Sequence, residues 1–194
     1  MMFEALLQLI ILFIVIFDPL ASFVIFLVAT SKMNHVERER TATWALLVAG
    51  GLSLLVLLLG SSLLWVFNTS ISHFQIAGGL VLSILGVKMV LGYSLMQIDE
   101  AKNNSGWAVA SIIGTPLLTG PATITAIIIS SNDYGRFITG LAVAIVLVFT
   151  AFLFYNTEKV NKYIGRTTIQ VTSTVLGLIT LAWGVKYILV GLGL

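Results

Sequence analysis

Six stretches of this chain, at about residues 4–30, 41–66, 72–91, 107–130, 136–156 and 168–191, are each apolar over about twenty residues or more. A bilayer core is about 30 Å thick and offers the backbone no hydrogen-bonding partner, so a run of about 20 apolar residues has to cross it as a helix. Composition agrees, since 58% of residues are hydrophobic and 9% are charged, where a soluble domain has about 25% charged residues. The expected fold is an all-α membrane protein, with six transmembrane helices in a single transmembrane domain, 1–194. The first 30 residues lack a basic leader, carry Glu4 and stay apolar too long for a signal peptide. They are expected to be a retained first helix.

The connections are short and polar, as in "NTSIS" and "SNDYG", and the longest, "GYSLMQIDEAKNNSG", is too short for another domain. Lys32, Arg38, Arg40, Lys88, Lys102, Lys159, Lys162 and Arg166 fall on one face, against Arg136 and Lys186 on the other. The positive-inside rule then puts both termini outside. In "NHVE", residues 34–37, an N-cap type is followed three places later by Glu, which is the pattern of a capping box at the start of the second helix.

Several function classes fall away. There are no cysteines, which removes disulfides and thiolate metal sites. The basic residues form no stripe that could follow phosphates, so no nucleic-acid partner is expected. His35 and His73 are not spaced as a metal pair and are expected near span ends. HExxH, G-x-S-x-G and paired intramembrane aspartates do not occur, so the chain is expected to be neither an enzyme nor a holder of a metal or cofactor.

At an offset of 98, "GLVLSILGVKMVL" (79–91) aligns with "GLITLAWGVKYIL" (177–189), matching Gly79 with Gly177, Gly86 with Gly184 and Lys88 with Lys186. At an offset of 102, Pro19 falls on Pro121. The chain therefore reads as two three-helix repeats, about 1–95 and about 104–194. Three is odd, so the second half enters the membrane from the opposite side, giving the inverted topology of many secondary transporters. The paired glycines are seven apart, on one helix face, and are expected to permit tight helix packing. Lys88 and Lys186 are expected to snorkel to the interface.

All three prolines, Pro19, Pro116 and Pro121, lie inside predicted spans. In "FDPLAS", Asp18 is a good N-cap and Pro19 a good first helical residue; "GTPLLTGPATIT" repeats that grammar at Thr115–Pro116 and Gly120–Pro121. Helices 1 and 4 are thus predicted to be discontinuous near the midplane. A break presents amide groups from one half-helix and carbonyls from the other, so the two together suit a small zwitterion. The candidate substrate-binding residues are Asp18, Pro19, Leu20, Ala21 and Ser22 on helix 1 and Thr119, Gly120, Pro121, Ala122 and Thr123 on helix 4. Gln75 at the start of helix 3 is a further candidate, although its position reads more naturally as the membrane interface, as does Gln170. Asp18 is the one carboxylate deep in a predicted span, where an ionisable group costs about 2.5–3.5 kcal/mol. Its expected roles are proton acceptor, sodium ligand or partner of a substrate ammonium; a purely structural cap is the alternative.

With "DPLASFVIFL", "FQIAGGLVLSILGVKM", "TPLLTGPATIT" and the GVK end of helix 6 in place, nearly the whole chain resembles the MarC family of bacterial and archaeal membrane proteins. The resemblance implies a six-helix protein of the plasma (inner) membrane that transports small neutral amino acids such as glycine or alanine. It also implies coupling to an H+ or Na+ gradient. Asp18, Pro19, Gly120 and Pro121 match by position. The family pattern has Gly-Asn after Asp-Pro and a second Gly after Gly-Pro, where this chain has Ala21, Ser22 and Ala122. The rival readings are a passive channel, an exporter of another small polar solute and a non-transporting membrane scaffold.

Overall fold

The computed structural model describes residues 2–31, 33–66, 68–91, 118–157, 159–160 and 166–194. Seven helices account for most of these residues. They are α1 (Met2–Phe17), α2 (Pro19–Ala29), α3 (His35–Val66), α4 (Ile71–Val90), α5 (Pro121–Tyr134), α6 (Arg136–Tyr155) and α7 (Arg166–Leu192). The segments His35–Gly60, Ile71–Val90, Arg136–Tyr155 and Thr174–Leu192 are long and apolar enough to cross a bilayer. α1, α2 and α5 have 16, 11 and 14 residues, or about 24, 16 and 21 Å, each short of a full crossing. The predicted stretch 107–117, with the Thr115–Pro116 step, lies outside the described residues.

Local chemistry sets several boundaries. α3 begins at His35, well before the apolar run at 41, because the capping box forms. The Glu37 amide donates to Asn34 Oδ1 at 2.9 Å, and the Asn34 amide to Glu37 Oε2 at 3.1 Å. At α4 the N-cap Ser70 accepts from the His73 amide at 3.3 Å, and His73 Nδ1 accepts from the Ser70 amide at 3.4 Å. Both histidines are exposed, and His35 lies 3.6 Å from Glu39. α5 runs four residues past the expected end at 130 and stops where Gly135 takes φ +85°, a region open to glycine. One residue therefore joins α5 to α6.

Two antiparallel helix pairs organise the packing. α3 meets α6 with Thr43 Oγ1 2.7 Å from the Tyr155 hydroxyl, Gly50 facing Leu147 and Leu57 facing Gly140. α4 meets α7 through glycines. A methyl group on Gly79 would lie 2.5 Å from the Gly184 carbonyl oxygen, and one on Gly86 2.7 Å from that of Gly177. Backbones approach this closely only where no side chain intervenes, as the glycine spacing predicts. α1 packs on α5 and α6, α2 on α6 and α7, and α5 on α3 and α4. Phe13, Phe17, Phe23, Phe26 and Phe154 are fully buried, with the Phe26 and Phe154 rings stacked at 4.4 Å. Leu54, Leu55, Leu58, Leu59, Val148 and Phe152 are exposed. So much outward-facing apolar surface suits a lipid environment. Lys88 is exposed, and Lys186 Nζ lies 4.6 Å above the Trp183 ring.

Candidate functional site

The first break turns on one residue. Pro19 has no amide hydrogen, and its ring would clash with the carbonyl four residues back in a continuous helix. The chain bends at Asp18, which takes φ +39°. Positive φ is costly for most L-residues but tolerated by Asp and Asn, whose short polar side chains bond locally. The Asp18 amide donates to the Ile14 carbonyl at 3.1 Å, closing α1, while its own carbonyl accepts from the Ser22 amide at 3.0 Å, opening α2. Pro19 thereby occupies the first helical position, where a missing N–H has no cost. The Ser22 hydroxyl donates back across the break to the Phe17 carbonyl at 3.2 Å.

The start of α5 follows the same plan as the start of α2 with different residues, while the residues just before 118 lie outside the described residues. Gly120 is the N-cap, at φ −67° and ψ 178°, with Pro121 next. Its carbonyl accepts from the Ile124 amide at 3.1 Å. The Thr123 hydroxyl donates back to the Leu118 carbonyl at 2.9 Å. At the start of both α2 and α5, then, a buried hydroxyl reaches a carbonyl five residues earlier. In a continuous helix Ser and Thr reach the carbonyl three or four residues back, as Thr30 does with Phe26 and Thr150 with Val146. The five-residue reach occurs where a helix starts or ends, as it also does between Thr69 and the Leu64 carbonyl after α3.

The Tyr134 hydroxyl donates to Gln8 Oε1 at 3.5 Å, tying the end of α5 to the middle of α1. From that contact Asp18 is ten residues along α1 and Gly120 fourteen along α5. These are about 15 and 21 Å of helix, a difference of roughly one turn. Each following half-helix presents first-turn amides without an intrahelical acceptor and the positive end of its macrodipole. Asp18 carries a carboxylate at the α2 end, only 8% exposed.

Of the candidates named from sequence, Asp18, Pro19, Ser22, Thr119, Gly120, Ala122 and Thr123 are buried at the starts of α2 and α5. Leu20 is half-buried. Ala21 and Pro121 stand in the first turns of α2 and α5, and their side chains lie outside the described residues. Gln75 is buried at 8% exposure. It sits one turn before Gly78, which packs against Thr125. Thr125 is five residues past Gly120, about 7.5 Å along α5, so Gln75 aligns with the middle of α5. The Gln170 side chain lies outside the described residues.

Sequence reasoning missed the two hydroxyl bridges and two cavities. One cavity, of about 240 Å³, lies between α3, α5 and the start of α6, and includes Gly60, Ile128, Ser131 and Arg136. The other, of about 180 Å³, lies between the start of α3 and the end of α6. Neither is lined by the break residues. Among the described residues no group of three His, Cys, Asp or Glu could hold a metal ion.

Comparison with known proteins places the chain. The profile of the family described as "MarC family integral membrane protein" matches residues 3–193. A UPF0056 membrane protein of Methanocaldococcus jannaschii is 29% identical over 185 residues, covering 91% of this chain and 90% of that protein. The UPF0056 membrane protein YhcE of Escherichia coli K12 is 27% identical over 184 residues, covering 90% and 86% respectively. One from Buchnera aphidicola subsp. Schizaphis graminum is 26% identical over 180 residues, covering 90% and 85%. No solved structure matches the chain. With apolar helices that suit a bilayer and a family profile matching almost from end to end, the chain belongs to the MarC family of integral membrane proteins.

Proposed function

We propose that this protein is a secondary transporter of small neutral amino acids of the glycine and alanine class, driven by an H+ or Na+ gradient. The observation that carries the reading is the pair of short, proline-started helices, α2 and α5, whose first turns are built on the same plan. The substrate carboxylate would sit at the half-helix N-termini, and its ammonium near Asp18 or the break carbonyls. Phe17 and Leu118 carbonyls already accept hydroxyls from Ser22 and Thr123. Those hydroxyls keep the breaks satisfied and can turn toward a ligand when one enters.

The two-repeat organisation is supported by reciprocal contacts. Gly79 faces Gly184 and Gly86 faces Gly177, whereas the internal alignment equates Gly79 with Gly177 and Gly86 with Gly184. Exchanging the halves therefore turns each contact into the other, as a two-fold axis in the membrane plane requires. Gly50–Leu147 and Leu57–Gly140 exchange in the same way at an offset of 90. Six spans in two inverted repeats, with helices 1 and 4 broken and both termini outside the inner membrane, complete the proposal. Rocking of one repeat against the other alternates access.

The test is uptake of labelled alanine or glycine into proteoliposomes under an imposed proton or sodium gradient. Asp18→Asn is the informative variant, because Asn tolerates positive φ as Asp does and removes only the charge. Gradient-driven uptake that falls at least tenfold in Asp18→Asn supports the mechanism. No uptake by the wild type of either amino acid refutes the substrate class, and wild-type uptake unchanged by Asp18→Asn refutes the coupling role.

A further inference from the structure

We propose that the cavity between α3, α5 and the start of α6 is a second subsite for a small neutral amino acid, set along α5 from the candidate site at its start. The choice of ligand rests on the transport reading above; the site itself rests on unpaired hydroxyls. Helical hydroxyls in membrane proteins commonly donate to the carbonyl four residues back, as those of Thr30, Thr41, Thr150 and Thr180 do. Among the described residues, the hydroxyls of Ser53, Ser131 and Thr139 are buried without any hydrogen-bond partner. An unpaired buried hydroxyl is costly, so three of them around one cavity call for a partner that enters it.

All three stand on the helices that enclose this cavity of about 240 Å³. Ser131 lines it directly. Ser53, 3% exposed, is one turn before Val56 and Leu57, which belong to the α3 wall, and helix residues three and four apart share a face. Thr139, fully buried, is one turn beyond Arg136, another lining residue. It adjoins Gly140, where a methyl group would lie 2.8 Å from Leu57 Cδ2. α3 and α5 close up at Gly60, where a methyl group would lie 2.8 Å from Ile128 Cγ1. These two glycine contacts fix how the three helices are spaced around the cavity.

The lining selects a ligand without net charge. Arg136 is already engaged, and Asn132 Nδ2 donates to Asp133 Oδ1 at 3.2 Å. The hydroxyls can donate to a carboxylate and accept from an ammonium, and Leu57, Leu64 and Ile71 supply an apolar wall beside them. A volume below the about 300–1,000 Å³ of drug-sized sites favours a small solute. Glycine and alanine, zwitterions with at most one methyl group, meet all three conditions. Ser131 is eleven residues beyond Gly120, about 16 Å along α5. Ser131, Ile128 and Ile124 are spaced three and four apart on one face, and Ile124 belongs to the first turn of α5. The cavity and the start of α5 are therefore separate places on one side of the same helix.

The chain contains no cysteine, so Ser131→Cys carries a single thiol at the cavity. The experiment uses the full chain in detergent micelles and follows modification of this variant by a small methanethiosulfonate. Alanine or glycine is expected to slow the reaction about tenfold at a concentration ten times Kd, while aspartate and lysine leave it unchanged. Phe137→Cys, at an exposed residue outside the cavity, is expected to react without protection. Protection of Ser131→Cys is expected to survive the further substitution Asp18→Asn. Failure of Ser131→Cys to react, reaction without protection, or equal protection by aspartate and lysine would each overturn the subsite. So would protection that disappears with Asp18→Asn, since the effect would then belong to the start of α2. Asn132→Cys, at an exposed residue of the same cavity, repeats the measurement if Ser131→Cys does not fold. Uptake into proteoliposomes separates the two readings. Protection without uptake keeps the subsite and refutes transport, whereas uptake without protection refutes the subsite alone.

Discussion

Replacing Gly79 by alanine adds a single methyl group at the α4–α7 contact. It would lie 2.5 Å from the Gly184 carbonyl oxygen, 2.7 Å from Ile188 Cγ1 and 2.9 Å from the Ile188 amide nitrogen. The first distance is about 0.9 Å inside ordinary contact, which begins at 3.4 Å. Two of these neighbours are backbone atoms that cannot rotate away, so the helices must separate. Overpacking of this kind costs about 1–3 kcal/mol. Alanine recovers about 1 kcal/mol through its better helix propensity, leaving a net destabilisation of about 1 kcal/mol. Gly51 on α3 is the control, because a methyl group there meets nothing within 4 Å. Gly51→Ala should therefore stabilise by about 0.5–1 kcal/mol. The two variants should differ by about 2 kcal/mol, with opposite signs. Reversible unfolding in mixed micelles, followed by far-ultraviolet circular dichroism, measures both. A double variant, Gly79→Ala with Gly184→Ala, should cost less than the sum of the singles, because one separation relieves both clashes. The reasoning fails if Gly79→Ala and Gly51→Ala shift stability in the same direction by similar amounts.

Ser22→Ala and Thr123→Ala each remove the hydroxyl donor of a buried break carbonyl, at an expected cost of about 1–3 kcal/mol. Thr123→Ser should restore most of that loss in the same unfolding assay, and failure to do so would mean that the methyl group matters instead. Phe154→Ala removes one ring of the Phe26 stack from a fully buried position and should cost about 3–5 kcal/mol; a loss under 1 kcal/mol would show that the stack contributes little. Ser70→Ala deletes the α4 cap and should cost about 1 kcal/mol, with faster amide exchange confined to the first turn of α4. Exchange that rises evenly along α4 would contradict a local cap.

Much of this architecture is legible in the residues, for identifiable reasons. The Asp18–Pro19 break follows from steric rules that hold in any surroundings. So do the Asn34–Glu37 box and the face shared by Gly79 and Gly86. What was not legible depends on angles between helices. Ser22 and Thr123 are recognisable as small hydroxylic residues, but their five-residue reach exists only once the break has a particular bend. Gln75 stands at the start of an apolar run, where nothing in the residues announces its burial, and the close approach of Gly78 to Thr125 draws that turn of α4 inside. Ser70 was open to discovery, since it directly precedes α4, the third predicted span. Its partner His73 lacks the Glu or Gln by which a capping box is usually recognised.

Asp18 separates two helices without inserting a spacer. The same residue donates the last hydrogen bond of α1 and accepts the first of α2, and Pro19 beside it has a fixed φ. The joint consequently has almost no slack. α1 and α2 can swing relative to each other through the torsions around Asp18, but neither can lengthen or retract without breaking one of those two bonds. Motion at this point is therefore that of a swivel and not of a piston. A displacement at the far end of α2 reaches Asp18 as a change of angle, so the carboxylate would be reoriented within the protein while staying close to the end of α1.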